Sequence, residues 1–202
     1  MAGVMSGRLR RLAAAVALLV VAGNVRSEAE DLHLGSTAAV LAPAPTLATP
    51  PTTTAVPLPT PITPPKRVYR PDPYRVVGWI EIPKIGLREP IGEGITLTII
   101  DRGPSHWPGT AMPGQPGNVV IAGHRVTHSH PFRHIDRLVP GDGVIFEVGG
   151  TRTTYVMTRS EVVRPTRVDI VRQTPARTAT LFACHPPGSA RYRYVVHLAF
   201  AA

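Results

Sequence analysis

Apolar residues along this chain fall into three regimes. Leu12 to Val25 is an uncharged, almost unbroken apolar run. Residues 35–65 alternate proline, threonine and alanine without any period. From Lys66 onward, short apolar or alternating runs recur: Gly78–Ile82, Asn118–Ala122, Val144–Val148, Thr153–Thr158, Ala179–Ala183 and Tyr192–Ala199. Pro113-Gly114, Pro140-Gly141-Asp142 and Gly149-Gly150 punctuate them, so these runs predict strands separated by turns. Gly149-Gly150 between two such runs predicts a hairpin. Only Thr96–Arg102 and Phe132–Leu138 are credible helices, each about two turns by the 3.6-residue pitch. Many short strands with few helices predict a mainly β domain, either a closed barrel or a sandwich.

The first 34 residues have the form of an export or anchoring signal. Arg8, Arg10 and Arg11 precede the apolar run and Arg26 ends it. Fourteen helical residues rise about 21 Å, short of the roughly 30 Å hydrocarbon core, which fits a signal-peptide core better than a full span. Ser27-Glu28-Ala29 offers small residues at the positions a signal peptidase reads, while the flanking arginines could snorkel and keep the segment as an uncleaved anchor. Residues 35–65 follow as a linker. They carry no charge and too few large apolar side chains to offset the entropy of ordering, so disorder or polyproline II is expected. Extended at ~3.1 Å per residue, such a segment could hold a domain some 90 Å from a membrane. The domain proper then runs from 66 to 202.

Composition narrows the class. The 202 residues are 43% hydrophobic and 17% charged, with one cysteine and 23 prolines, nine of them between Pro43 and Pro65. That excludes a fully disordered chain, a coiled coil and a disulfide-stapled miniprotein. The formal charge is +9, from 22 basic and 13 acidic residues. Four arginines and three acids precede residue 66, leaving 18 basic against 10 acidic residues in the domain. This excess would attract anionic surfaces such as headgroups or wall polymers. Nucleic acid is not expected as a partner, because export is predicted, no reading motif is present and aromatics make up only 5% of the chain.

Candidate chemistry starts from the lone cysteine. Cys184 ends the apolar strand Thr180-Leu181-Phe182-Ala183, and His185-Pro186-Pro187-Gly188 stops that strand. Alternation puts Thr180, Phe182 and Cys184 on one face. An odd cysteine in an exported chain suggests a reactive thiol or an intermolecular bridge, against the commoner role of a small buried hydrophobe. A thiol nucleophile needs a base and an oxyanion partner. His185 is adjacent, and in extended chain its side chain diverges from that of Cys184. His124 follows the apolar strand Asn118–Ala122, and Gly123 allows a turn or close approach just before it. Arg191 and Arg193 lie two apart near the start of the last strand, and alternation cannot separate them. Either beside a cysteine would offer fork-shaped donors to a carbonyl oxygen.

Together these residues resemble a known family. Asn118-Val119-Val120-Ile121-Ala122-Gly123-His124-Arg125, Thr180-Leu181-Phe182-Ala183-Cys184 and the downstream Arg193 are similar to the sortases, cell-wall cysteine transpeptidases of Gram-positive bacteria. His106-Trp107-Pro108-Gly109-Thr110, Pro113-Gly114, Pro131-Phe132 and Pro140-Gly141-Asp142 extend the match, and Cys184-His185-Pro186 with Ser189–Arg193 resembles the actinobacterial class E subgroup. Ala183 stands where the family usually has threonine. The resemblance covers Gly78 to His197 and implies an eight-stranded closed barrel with one or two short helices. It further implies that Cys184 is the nucleophile, His124 the proton donor to the leaving amine and Arg193, rather than Arg191, the oxyanion partner, with no cofactor or metal. The implied substrate is an LPXTG-like or LAXTG-like sorting signal on surface proteins, cleaved between Thr and Gly. The implied acceptor is an amine of the wall precursor or of a pilin. The implied location is the outer side of the membrane, with the N-terminal segment as anchor. Residues 159–177 correspond to the family's substrate-facing loop, with an ordinary exposed loop as the other reading, while Trp107 and Met112 are read by default as packing residues.

Two other readings come from different classes. His124, His128, His130 and His134 could bind zinc in a metallohydrolase, but Pro131 interrupts any helix presenting them and no His-Glu-x-x-His spacing occurs. A non-catalytic basic wall-binding module on a stalk is the second.

Overall fold

The structure is a computed structural model that describes residues 57–66, 69 and 71–201. The expected signal segment and most of the linker lie outside the described residues. Among those residues, no helix is long and apolar enough to cross a membrane.

Eight strands close into a barrel in the order β1-β2-β3-β4-β7-β8-β6-β5. They are β1 (Val76–Ile82), β2 (Leu87–Glu93), β3 (Ser105–His106), β4 (Gly117–Ala122), β5 (Gly143–Val148), β6 (Thr151–Val163), β7 (Arg177–His185) and β8 (Tyr192–Phe200). The pairs β2/β3 and β4/β7 are parallel and the remaining pairs are antiparallel. Closure leaves the sheet without a free edge, which disposes of the sandwich alternative.

Alternation along the strands fills the interior. Ile80 and Ile82 from β1, Val119 and Ile121 from β4, Ala179, Leu181 and Ala183 from β7, and Val196 and Leu198 from β8 share one core cluster. Phe132, Ile135 and Leu138 join it from the segment after β4, where Ile135–Arg137 forms a 3-10 turn in place of the expected two-turn helix. The other expected helix is a single turn, α1 (Leu97–Ile100), held to the barrel by the buried Ile99.

The hairpin between β5 and β6 forms as its glycines require. Val148 pairs with Thr151, and Gly149 and Gly150 have φ of 55° and 79°. A two-residue loop with both φ values positive matches the right-handed twist of the strands it joins.

A second, smaller cluster lies outside the barrel wall. Val163, Ile170 and Val195 pack with Val171 and Phe182, so residues 164–176, including a 3-10 turn at Val168–Val171, lie on the outer face of β7 and β8. Polar contacts fix them there. Asn118 Nδ2 donates to Ile170 O at 2.9 Å, and Gln173 Oε1 accepts from Asn118 N at 2.9 Å. The expected loop over 159–177 is therefore shorter, because residues 159–163 continue β6. On the far side of β4, residues 57–65 have no regular secondary structure and run past Trp107. Ile62 N donates to Pro108 O at 3.0 Å, and Trp107 Nε1 donates to Ile62 O at 2.9 Å. Gly109, at φ +76°, has no room for a Cβ because Thr60 O occupies that space.

Candidate active site

The parallel register of β4 and β7 brings together residues sixty positions apart. Ala122 pairs with Phe182, and Gly123 N donates to Phe182 O at 3.1 Å. Continuing that register sets His124 level with Cys184 at the ends of neighbouring strands. On the other side of β7, Cys184 pairs directly with Arg193 across the antiparallel β7/β8 ladder. His124, Cys184 and Arg193 thus lie in one row at one end of the barrel.

Alternation decides which way they face. Ala183 is 2% exposed in the barrel core, as are its neighbours on the same side, Ala179 and Leu181. Thr180, Phe182 and Cys184 therefore face outward, and Cys184 is half-buried. On β8 the inward set is Val196 and Leu198, which puts Arg193 on the same outward face as its cross-strand partner Cys184. Arg191 precedes β8 and stacks on Tyr192. The methyl of Ala183 suits its apolar surroundings, and no hydroxyl there needs a partner. Phe182 meets Trp107, with ring centroids 6.2 Å apart, and Trp107 is buried at 8% exposure, which makes it a packing residue.

The local chain explains how His124 is presented. A Cβ on Gly123 would lie 2.6 Å from the Phe132 ring, so only glycine lets the strand end pass this close to the core. Phe132 N then donates to His124 O at 3.1 Å, closing the loop back. His124 Nε2 lies 2.7 Å from Asp101 Oδ1. Asp101 caps the C-terminal end of α1, its N–H bonded to Leu97 O at 2.8 Å. An acidic acceptor on one ring nitrogen fixes the tautomer and the plane of the imidazole and leaves Nδ1 as the nitrogen available for proton exchange. His128 adds a second imidazole. Its Nε2 is 3.1 Å from the same Asp101 oxygen, and its ring stacks on His124 with centroids 4.8 Å apart.

Arg193 is turned to its own loop. Its Nη1 donates to Ala190 O at 2.9 Å and to Tyr192 O at 3.0 Å, which pins one edge of the guanidinium on the loop before β8. His185 does not serve the thiol. Its Nδ1 accepts from Arg125 Nη1 at 2.7 Å. Arg125 is 2% exposed, pairs through Nη2 with Asp136 Oδ2 at 2.6 Å and lies over the Tyr194 ring. This buried guanidinium ties the loop after β4 to the end of β7, one residue beyond the cysteine.

Sequence reasoning missed two supports of the site, Asp101 and Arg125. Nothing in the spacing of Asp101 connects it with a histidine 23 residues later, since the connection exists only once α1 has docked. Arg125 stood in the quoted motif without a role, and its burial was the missing information. His130 and His134 do not join His124 and His128 at Asp101.

Comparisons with known proteins place the chain in a family. Sortase SrtE1 of Streptomyces coelicolor is 35% identical over 133 residues, covering 58% of this chain and 38% of that protein. This chain therefore matches well under half the length of that relative. The crystal structure of Sortase E1 from Streptomyces coelicolor with tripeptide in the active site superposes with a TM-score of 0.60 at 32% identity, over 63% of this chain and 89% of that one. The Clostridium perfringens Sortase D5 transpeptidase gives a TM-score of 0.59, also at 32% identity, over 63% of this chain and 79% of that one. A sortase-domain family profile matches residues 80–200, from the middle of β1 to the end of β8 and across the whole Cys184 row. By that match the chain belongs to the sortase family.

Proposed function

We propose that this protein is a cysteine transpeptidase that cleaves an LPXTG-like or LAXTG-like sorting signal between Thr and Gly and joins the new carboxyl to an amine. Cys184 Sγ attacks the threonine carbonyl carbon as thiolate. Negative charge builds on the carbonyl oxygen, and the Arg193 guanidinium donates hydrogen bonds to it. The C–N bond breaks as His124 gives a proton to the departing glycine nitrogen, leaving a thioester on Cys184. An incoming amine attacks the thioester, His124 takes its proton, and the thiolate leaves with the enzyme restored. The wall precursor or a pilin lysine supplies that amine, and surface proteins bearing the signal supply the acyl group. The outer side of the membrane is where both are found, with the N-terminal segment as anchor.

The observation that carries this reading is the register of β7, with Arg193 as cross-strand partner of Cys184 and His124 at the end of the adjacent parallel strand. Backbone pairing holds Cys184 against Arg193, and the turn at Gly123, bonded to Phe182 O, carries His124 two residues past the end of β4. Residues 164–176 and Trp107 wall the outer face along Phe182 toward the thiol, which suits an extended peptide laid on that face.

The test is ligation. The protein is incubated with LPXTG and LAXTG peptides and an amine nucleophile, and cleaved and ligated products are followed by mass spectrometry. Product is expected from at least one peptide, and none is expected from Cys184→Ala. A non-catalytic wall-binding module would tolerate that substitution and give no product with either peptide, and such a result would overturn the reading.

A further inference from the structure

Asp101 alone suffices to orient His124, yet a second imidazole converges on the same carboxylate oxygen. His124 Nε2 and His128 Nε2 lie 2.7 Å and 3.1 Å from Asp101 Oδ1. The three candidate donor atoms are all within 4.8 Å of one another. His128 reaches this place through a backbone with φ 54°, a region uncommon outside glycine in which histidine is among the better-tolerated residues. Two imidazoles and one carboxylate with an open side form the three-ligand set that zinc takes, keeping a fourth position for water. Imidazole donors select borderline dications and disfavour calcium and magnesium. Tetrahedral bonds of about 2.0–2.1 Å set ligand atoms roughly 3.3 Å apart. The His128–Asp101 separation of 3.1 Å is close to that value, and the 2.7 Å His124–Asp101 hydrogen bond would lengthen by about 0.6 Å. All three atoms already lie within 4.8 Å of one another. The side chain of His128 is 44% exposed, against 15% for His124 and 19% for Asp101, so an ion can enter from its side.

We propose that Asp101, His124 and His128 form a zinc site whose occupation withdraws His124 from the transfer reaction. The metal would take Nε2 of His124 in place of the proton shared with Asp101. The neutral ring then carries its proton on Nδ1, a protonated ring having released one to solvent. A ring so bound can neither become imidazolium nor give up its last proton without forming an imidazolate. Zinc here acts as an inhibitor and not as a cofactor, which differs from the metallohydrolase reading in both ligands and consequence. The inhibitory half rests on the proposed role of His124, whereas the metal site stands on geometry alone.

Zinc chloride titrated into the chelator-treated protein by isothermal calorimetry tests the site without any turnover. Wild type and Cys184→Ser are expected to bind one zinc per chain. His128→Asn, chosen because asparagine tolerates a left-handed backbone, and Asp101→Asn should each weaken binding about tenfold or more. Peptide cleavage should fall in step with occupancy, and His128→Asn should need correspondingly more zinc, relative to its own chelator-treated rate. Absence of saturable binding at millimolar zinc would overturn the site. So would binding that survives His128→Asn and disappears in Cys184→Ser, which would put the ion on the thiol. Binding as predicted with cleavage unaffected would refute inhibition while leaving the transpeptidase reading intact. Should no peptide be cleaved under any condition, the calorimetry still decides the site.

Discussion

Asp101 holds the Nε2 of His124 at 2.7 Å, and that bond carries a consequence for rate separate from binding. Replacing Asp101 with asparagine keeps the shape but loses the charge and can reverse the preferred tautomer. Asp101→Asn is expected to lower kcat about tenfold or more while KM for the sorting peptide stays close to wild type, since the side chain orients a proton donor. Steady-state kinetics that showed KM rising with kcat preserved would contradict this. Gly123 makes a second residue-scale case. Its missing Cβ is the space occupied by the Phe132 ring, 2.6 Å from where that atom would sit. Gly123→Ala should destabilise by about 1–3 kcal/mol through overpacking, and should reduce activity further by displacing His124. Denaturant unfolding and peptide cleavage, read on the same sample, separate the two effects.

At the scale of elements, ion pairs tie the strands and loops that carry the site. Arg125 joins the loop after β4 to His185 on β7 and to Asp136 before β5, buried at 2% exposure. Arg125→Met fills much of the volume but leaves His185 without its donor, and should cost about 3 kcal/mol in urea unfolding, at the low end for breaking a buried pair. On the opposite wall, His197 of β8 donates through Nε2 to Glu161 of β6 at 2.8 Å. That bond, helped by Arg159, holds the Glu161 carboxyl below its ordinary value of 4.5. Burial pushes His197 below its ordinary 6.5, despite the pull of Glu161 the other way, so a neutral imidazole is the donor. A depressed carboxyl contributes stability that is complete above about pH 4.5 and is lost as pH falls through the lower native value. Glu161→Gln should therefore be less stable than wild type near neutrality, by about 1 kcal/mol or less for a partly exposed pair. The Tm difference should vanish in acid, and a difference that grew as pH fell would reverse the sign argued here.

Elements were also where the sequence was most and least informative. Six strands follow from alternation or apolar runs, and the Gly149-Gly150 hairpin follows from turn chemistry alone. β2 escaped because Arg88, Glu89, Pro90 and Gly92 break its pattern, and its pairing with β1 supplies what its composition does not. β3 is two residues long, too short for any period. β6 runs to Val163 because it pairs along β8 past a register shift near Met157, although Thr158–Glu161 is polar. In the site, Cys184 and His124 could be singled out as residues at strand ends. Arg193 could not be separated from Arg191 by alternation, and only the family resemblance chose it. The cross-strand pairing of Cys184 with Arg193, and the start of β8 after Arg191, add a physical reason for that choice.

For the molecule as a whole, a closed barrel converts three distant segments into one row of side chains. β4 and β7 are parallel neighbours joined through β5 and β6, so His124 and Cys184 come level only when the crossover is complete. The row therefore depends on the global fold as well as on the short loop that carries His124. The most direct measurement mixes the protein with a sorting-signal peptide and no amine acceptor, then reads the intact mass and maps the modified residue. The account predicts one hydroxylamine-labile adduct on Cys184, corresponding to the peptide through its threonine. That adduct should be absent in Cys184→Ala and should form about 100-fold more slowly in Arg193→Ala, the loss typical of an oxyanion donor. Cleavage that persists in Cys184→Ala, or an adduct on any other residue, would contradict it.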